Sequence, residues 1–153
     1  MKFGKILLAA VLMNFVAATA AFAGGTQKEA LSMLDRGIAY TKAHGSEDAF
    51  KAFSDLNNKD FHDRDLYLFA YDFKGVNIAH GVNSKMLGKN FFELKDANGK
   101  QLIKEMIDIA KTKGSGEVEY MWTNPETKKL QAKVGFVAKI PGMDAFLGTG
   151  IYR

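Results

Sequence analysis

The order of hydrophobic patterns along the chain predicts an α+β fold, a five-stranded antiparallel sheet with a long N-terminal helix and helices on one side. Three observations carry this expectation. Apolar residues recur every three or four positions in three segments and every second position in five others. The one long connection falls between the second and third of those strands. Two prolines against fifteen glycines make the joints tight turns rather than a Pro-rich linker.

Thr26 to Ala43 reads as the first helix. Leu31, Leu34, Ile38 and Thr41 form one stripe, and Glu29, Asp35, Arg36 and Lys42 occupy the remaining surface. His44-Gly45 ends it, the glycine suiting a left-handed cap. Ser46-Glu47-Asp48 starts a second helix, with its acids at the positive end of the helix dipole, running through Ala49, Phe50, Phe53 and Leu56.

From Leu66 the period changes to two. Tyr67, Phe69, Tyr71 and Phe73 share one face and Leu68 and Ala70 the other, so both faces of this strand are expected to be covered. Asp72-Phe73-Lys74-Gly75 supplies a hairpin turn into a strand from Val76 to His80. An irregular connection from Gly81 leads to Asp96-Ala97-Asn98-Gly99, which is expected to open the third helix. That helix carries Leu102, Ile103, Met106, Ile107 and Ala110 on one stripe and closes at Lys111-Thr112-Lys113-Gly114. Strands follow at Val118 to Trp122, Leu130 to Ala138 and Ala145 to Tyr152, separated by Asn124-Pro125-Glu126-Thr127 and Ile140-Pro141-Gly142-Met143.

The chain has 153 residues, 47% hydrophobic and 25% charged, the composition of one ordinary folded domain. It has no cysteine, which excludes a disulfide scaffold, a thiolate metal site, an iron–sulfur cluster and a cysteine nucleophile. Met1 to Ala23 reads as an export signal: Lys2 and Lys5, an apolar run from Ile6 to Ala18, then Ala21-Phe22-Ala23 with the cut before Gly24. The expected product, residues 24–153, is periplasmic or secreted, with an uncleaved N-terminal anchor as the alternative. The formal charge of +4 falls by two when the leader's lysines go. The remaining cations are interleaved with acids, as in Asp63-Arg64-Asp65, so nucleic acid is not an expected partner.

The three histidines, His44, His62 and His80, lie far apart without metal-ligand spacing, and no metal or cofactor is expected. Gly-x-Ser-x-Gly is missing, and Gly148-Thr149-Gly150 lies inside a strand, where glycines serve close packing or leave room for a ligand. A hydrolase using His80 with Asp72 or Asp65 lacks a nucleophile motif, so no enzyme is expected. The aromatic and cationic residues around the strands are more informative. Arg64 and Tyr67, then Tyr120 and Trp122, then Lys133, suit either a packed core or aromatic walls around a small anion held by one cation.

One set of residues resembles the core of the single Cache domain family. It comprises Asp63-Arg64-Asp65-Leu66-Tyr67-Leu68-Phe69-Ala70-Tyr71-Asp72, Gly75, Ala79-His80-Gly81, Leu87-Gly88-Lys89-Asn90, Tyr120-x-Trp122-x-Asn124-Pro125, Lys133 and the closing Gly148-Thr149-Gly150-Ile151-Tyr152. The resemblance implies an extracytoplasmic PAS-like domain over residues 24–153, a ligand sensor acting in signal transduction or chemosensing. By that analogy ligand contacts are expected at Arg64, Tyr67, Phe69, His80, Tyr120, Trp122 and Lys133, with a small organic acid as ligand. With the chain ending at Arg153, a free-standing exported member without its own signalling module is expected, acting through a membrane receptor or sensor kinase. The alternative is a protein-interaction module with a vestigial pocket, whose first helix pairs with a receptor or with a second copy of itself. Here Lys133 is followed by Val134-Gly135-Phe136 where relatives often carry hydroxyl residues, which makes the expected site more apolar.

Overall fold

Thr26 begins the first helix by a reciprocal cap. Its hydroxyl accepts from the Glu29 amide, and the Glu29 carboxylate accepts from the Thr26 amide at 2.8 Å. Helix α1 spans Gln27–His44 in the computed structural model, which describes residues 23–153. The expected leader lies outside the described residues except for Ala23. Gly45, at φ +83, closes α1 and leads directly into α2, Ser46–Phe53. The expected continuation to Leu56 does not occur. The Asp55 carboxylate accepts from the Asn57 amide and turns the chain, leaving Leu56 exposed.

The alternating run from Leu66 is divided. A small ribbon pairs β1, His62–Asp63, with β2, Leu66–Tyr67. Beyond Leu68 the chain enters the main sheet as β3, Phe69–Asp72, followed by β4, Asn77–His80. Between them the Asp72 carboxylate accepts from the amides of Lys74 and Val76, and Gly75 takes φ +90. After a single 3-10 turn at Ser84–Met86 come α3, Leu102–Lys113, and then β5, Ser115–Thr123, β6, Leu130–Lys139, and β7, Ala145–Tyr152. The five strands lie in the order β4-β3-β7-β6-β5, all antiparallel. Asp96 does not open α3 as expected. Its carboxylate accepts from the amides of Asn98, Lys100 and Met121, tying the connection to β5, and the helix starts six residues later.

Side chains alternate across the strands, so the sheet has two buried faces. Leu68, Ala70, Val134, Phe136 and Leu147 face α1 and α2. Tyr67, Phe69, Tyr71, Tyr120, Val137 and Phe146 face α3 and the connection before it. The expectation of helices on one side therefore holds for α1 and α2 only, since α3 covers the other face. A central strand apolar on both sides requires cover on both. The stripe of α1 is used in this packing: Leu34 is buried and Ile38 packs against the core, while Leu31 stays 39% exposed. Among the described residues no helix is long and apolar enough to cross a membrane.

Candidate ligand-binding site

Lys133 sits in the middle of β6, opposite Tyr120 of β5 and Tyr152 of β7. Its position in the alternation turns it toward the α3 face, and it is completely buried. Two glycines of β7 give it and its neighbours room. A Cβ on Gly150 would lie 2.7 Å from the Lys133 Cε, and one on Gly148 would lie 2.4 Å from the Phe69 ring. Across β6, a Cβ on Gly135 would meet the Tyr120 ring at 2.8 Å. The Gly148-Thr149-Gly150 segment is thus a floor on which a ring and a lysine stem lie flat.

The Lys133 ammonium donates to the Tyr67 hydroxyl at 2.9 Å and lies 4.1, 4.9 and 5.4 Å from the ring centres of Tyr67, Tyr152 and Phe69. Aromatic faces attract a cation but do not replace a counter-ion. No carboxylate among the described residues pairs with it. Burial consequently pushes the Lys133 ammonium down to about 7, opposed in part by the field of the Asp65 carboxylate. A directed chain leads away from it: the Tyr67 hydroxyl lies 3.3 Å from that of Tyr152, which donates to the Thr123 carbonyl at 3.0 Å. Burial raises both phenols, Tyr67 to about 12, so each keeps the proton this chain needs.

His80, at the end of β4, stands 5.2 Å from the Tyr67 ring centre. Its Nδ1 accepts from the amides of Val82 and Asn83 at 3.3 and 3.1 Å, which puts the ring proton on Nε2. Burial, with the Lys133 charge, lowers its pKa to about 3, so the ring is a neutral donor at any ordinary pH. Neither carboxylate proposed as its catalytic partner is engaged with it. Asp72 holds the β3–β4 turn and Asp65 accepts from the Gly25 amide.

Two spaces meet at this cluster. An inner cavity walled by Tyr67, Phe69, Tyr71, His80, Tyr120, Trp122 and the α3 residues Leu102, Ile103 and Met106 leaves about 10 Å³ for the centre of a water molecule. That is room for roughly one water. An outer cleft of about 470 Å³ opens between Val82, Asn83 and Met86 on one bank and Thr123, Pro125, Glu126 and Lys128 on the other. His80 and Trp122 line both spaces and form the partition between them.

Six of the seven expected contact residues therefore converge: Tyr67, Phe69, His80, Tyr120, Trp122 and Lys133. Arg64 does not. It occupies the β1–β2 turn at φ +56, with its guanidinium on Glu29 at 2.7 Å and Asp63 at 2.8 Å and on the Gly24 carbonyl at 3.2 Å. Two carboxylates already engage it, so the expectation that Arg64 could be the cation pairing with an anion gives way to a role in holding the start of α1. Sequence reasoning missed Tyr152 and Met106. Tyr152 had a signal, since it continues the alternation of Gly148 and Gly150 onto the same face.

A Cache domain family model matches residues 39–153. The sensor histidine kinase MctS of Rhizobium johnstonii is 35% identical over 115 residues, which is 74% of this chain and 24% of that protein. The chain thus spans about a quarter of the length of that relative. A methyl-accepting chemotaxis protein from Vibrio parahaemolyticus superposes with a TM-score of 0.71 at 28% identity, covering 82% of this chain and 86% of the other. A Cache chemosensory domain whose structure describes carboxylic acid recognition gives a TM-score of 0.62 at 25% identity, over 79% and 84%.

Proposed function

The chain belongs to the Cache domain family, sensor domains of chemotaxis receptors and sensor kinases, and on that premise we propose that it binds a small organic acid outside the cytoplasm. One observation carries the reading: a fully buried lysine that has aromatic walls and a phenol but no carboxylate partner among the described residues. An isolated ammonium out of water is costly, and a carboxylate arriving at Lys133 removes that cost through charge-assisted hydrogen bonds. The acid enters by the outer cleft and passes between His80 and Trp122. His80 Nε2–H is a second, neutral donor for a carboxylate oxygen. The inner cavity has room for only about one water, so binding moves Trp122 or the Tyr67 ring. The carboxylic acid recognition by the similar Cache domain supports this choice of ligand.

The domain is exported by the leader at Met1–Ala23, and its ligand state is read by a membrane receptor or sensor kinase. A thermal-shift screen of short-chain carboxylic acids tests the reading. A ligand that binds only the folded state stabilises it by about 2.7 kcal/mol at a hundredfold excess over Kd. A saturable shift with one acid, lost in Lys133→Met, is the expected result. A flat screen on protein shown free of co-purified acid removes the sensor reading and leaves an interaction module with a vestigial pocket.

A further inference from the structure

Asp65 is a second buried charge without a counter-ion. It is 3% exposed, and its Oδ1 accepts from the Gly25 amide at 2.7 Å. No cation among the described residues pairs with it, because the adjacent Arg64 is committed to Glu29 and Asp63. What lies against its other oxygen is the backbone of Gly24: a Cβ there would stand 2.7 Å from Oδ2. Covalent geometry then places the Gly24 nitrogen within about 5 Å of that oxygen. The segment is also held in place before anything binds. Arg64 takes the Gly24 carbonyl, and the Thr26–Glu29 cap fixes the next residues.

In the uncut chain the Gly24 nitrogen is a neutral amide. Hydrolysis of the Ala23–Gly24 peptide bond leaves a carboxylate on Ala23 and a primary amine on Gly24, which solvent protonates. We propose that Asp65 is the receiving site for this α-ammonium, so that removal of the leader completes an ion pair and locks the start of α1 onto the β1–β2 turn. The inference rests on the reading of residues 1–23 as a cleaved leader. It also accounts for the Gly24-Gly25 pair: a side chain at 24 would strike the Asp65 carboxylate, and one at 25 the Leu66 side chain at 2.3 Å. Around the new ammonium the charged neighbours are Asp65, Arg64, Glu29 and Asp63, two of them already paired with Arg64.

The test uses the full chain exported by its own leader. Intact mass identifies the first residue of the product, and a product that does not begin at Gly24 overturns the leader reading and the proposal with it. For a Gly24 product, the amine is reductively dimethylated with isotope-labelled formaldehyde and a borohydride-type reductant, and titrated by NMR. The expected result is titration at least one pH unit above an α-amine's usual value of about 7.7–8.0, returning to that range in Asp65→Asn. Acetylating the amine should lower the melting temperature of the parent and leave that of Asp65→Asn unmoved. An ordinary titration in the parent overturns the ion pair while sparing the leader, and it decides the matter even if Asp65→Asn does not fold.

Discussion

The two faces of the sheet are built from the same strands to opposite ends. Toward α1 and α2 the side chains are Leu68, Ala70, Val134, Phe136 and Leu147, closed over by Phe53 and Phe61 edge to face at 4.8 Å. Toward α3 they are tyrosines, two phenylalanines and a histidine beside a small cavity, with a lysine behind the Tyr67 hydroxyl that no carboxylate among the described residues pairs with. The first face is packed for stability. The second gives up stability at Lys133 and keeps an electrostatic demand that a ligand can meet. A residue that differs by one position in a strand falls into one regime or the other.

That contrast breaks first at Phe53, which is fully buried on the α1 face. Phe53→Ala should cost about 3–5 kcal/mol in urea unfolding. Acid affinity of the protein that remains folded should not change, and a parallel loss of affinity would show the faces to be coupled. Lys133→Met reverses the pattern. Replacing a buried charge by an apolar chain of similar length should leave stability unchanged or raise it by about 1–4 kcal/mol. Calorimetric titration should show affinity for acids falling tenfold or more, as expected for a lost hydrogen bond to a charged group.

The same lysine gives the comparison a pH axis. Its ordinary value is 10.5 and the fold lowers it to about 7, so between these the unfolded chain holds more protons than the folded one. Stability should therefore rise with pH from about 7 toward 9. Above about 10 the buried phenols, Tyr67 among them, oppose the trend, because the folded state keeps protons that the unfolded state releases. Acid affinity should move the other way and fall above pH 7, where the ammonium is lost. Melting curves and titrations across this range check both signs, and Lys133→Arg should flatten the affinity profile. The smallest effect is expected at Thr26→Ala, which removes the α1 cap. It should cost about 1 kcal/mol in unfolding and leave affinity untouched.

The sheet was legible because its central strands alternate so cleanly: Tyr67, Phe69 and Tyr71 against Leu68 and Ala70 already imply two covered faces. The helix stripes were legible for the same reason of period. Local side-chain hydrogen bonds hid the exact ends. Asp55 and Asp96 each spend a carboxylate on backbone amides where a helix would otherwise continue or begin. The site was half legible. A lysine in an alternating strand ordinarily marks the wet face, so the pattern left Lys133 open between a surface cation and an anion site, and the family resemblance made it an expected ligand contact. The physical sign of its burial lies on other strands, in Gly150 beneath its stem and the tyrosines on either side. Arg64 misled because adjacency in sequence to Tyr67 is not adjacency in space: the left-handed turn sends its side chain toward α1.

The partition between the cleft and the cavity contains the chain's single tryptophan. Trp122 stands 6.1 Å from the Tyr120 ring and borders both spaces, on the route proposed for the acid. Its indole emission therefore originates at one known point, with no background from a second tryptophan. A shift in its wavelength reports wetting or drying of the gate, and a change in intensity reports its displacement. The protein carries its own optical probe, so stopped-flow mixing can time the arrival of a ligand without a label.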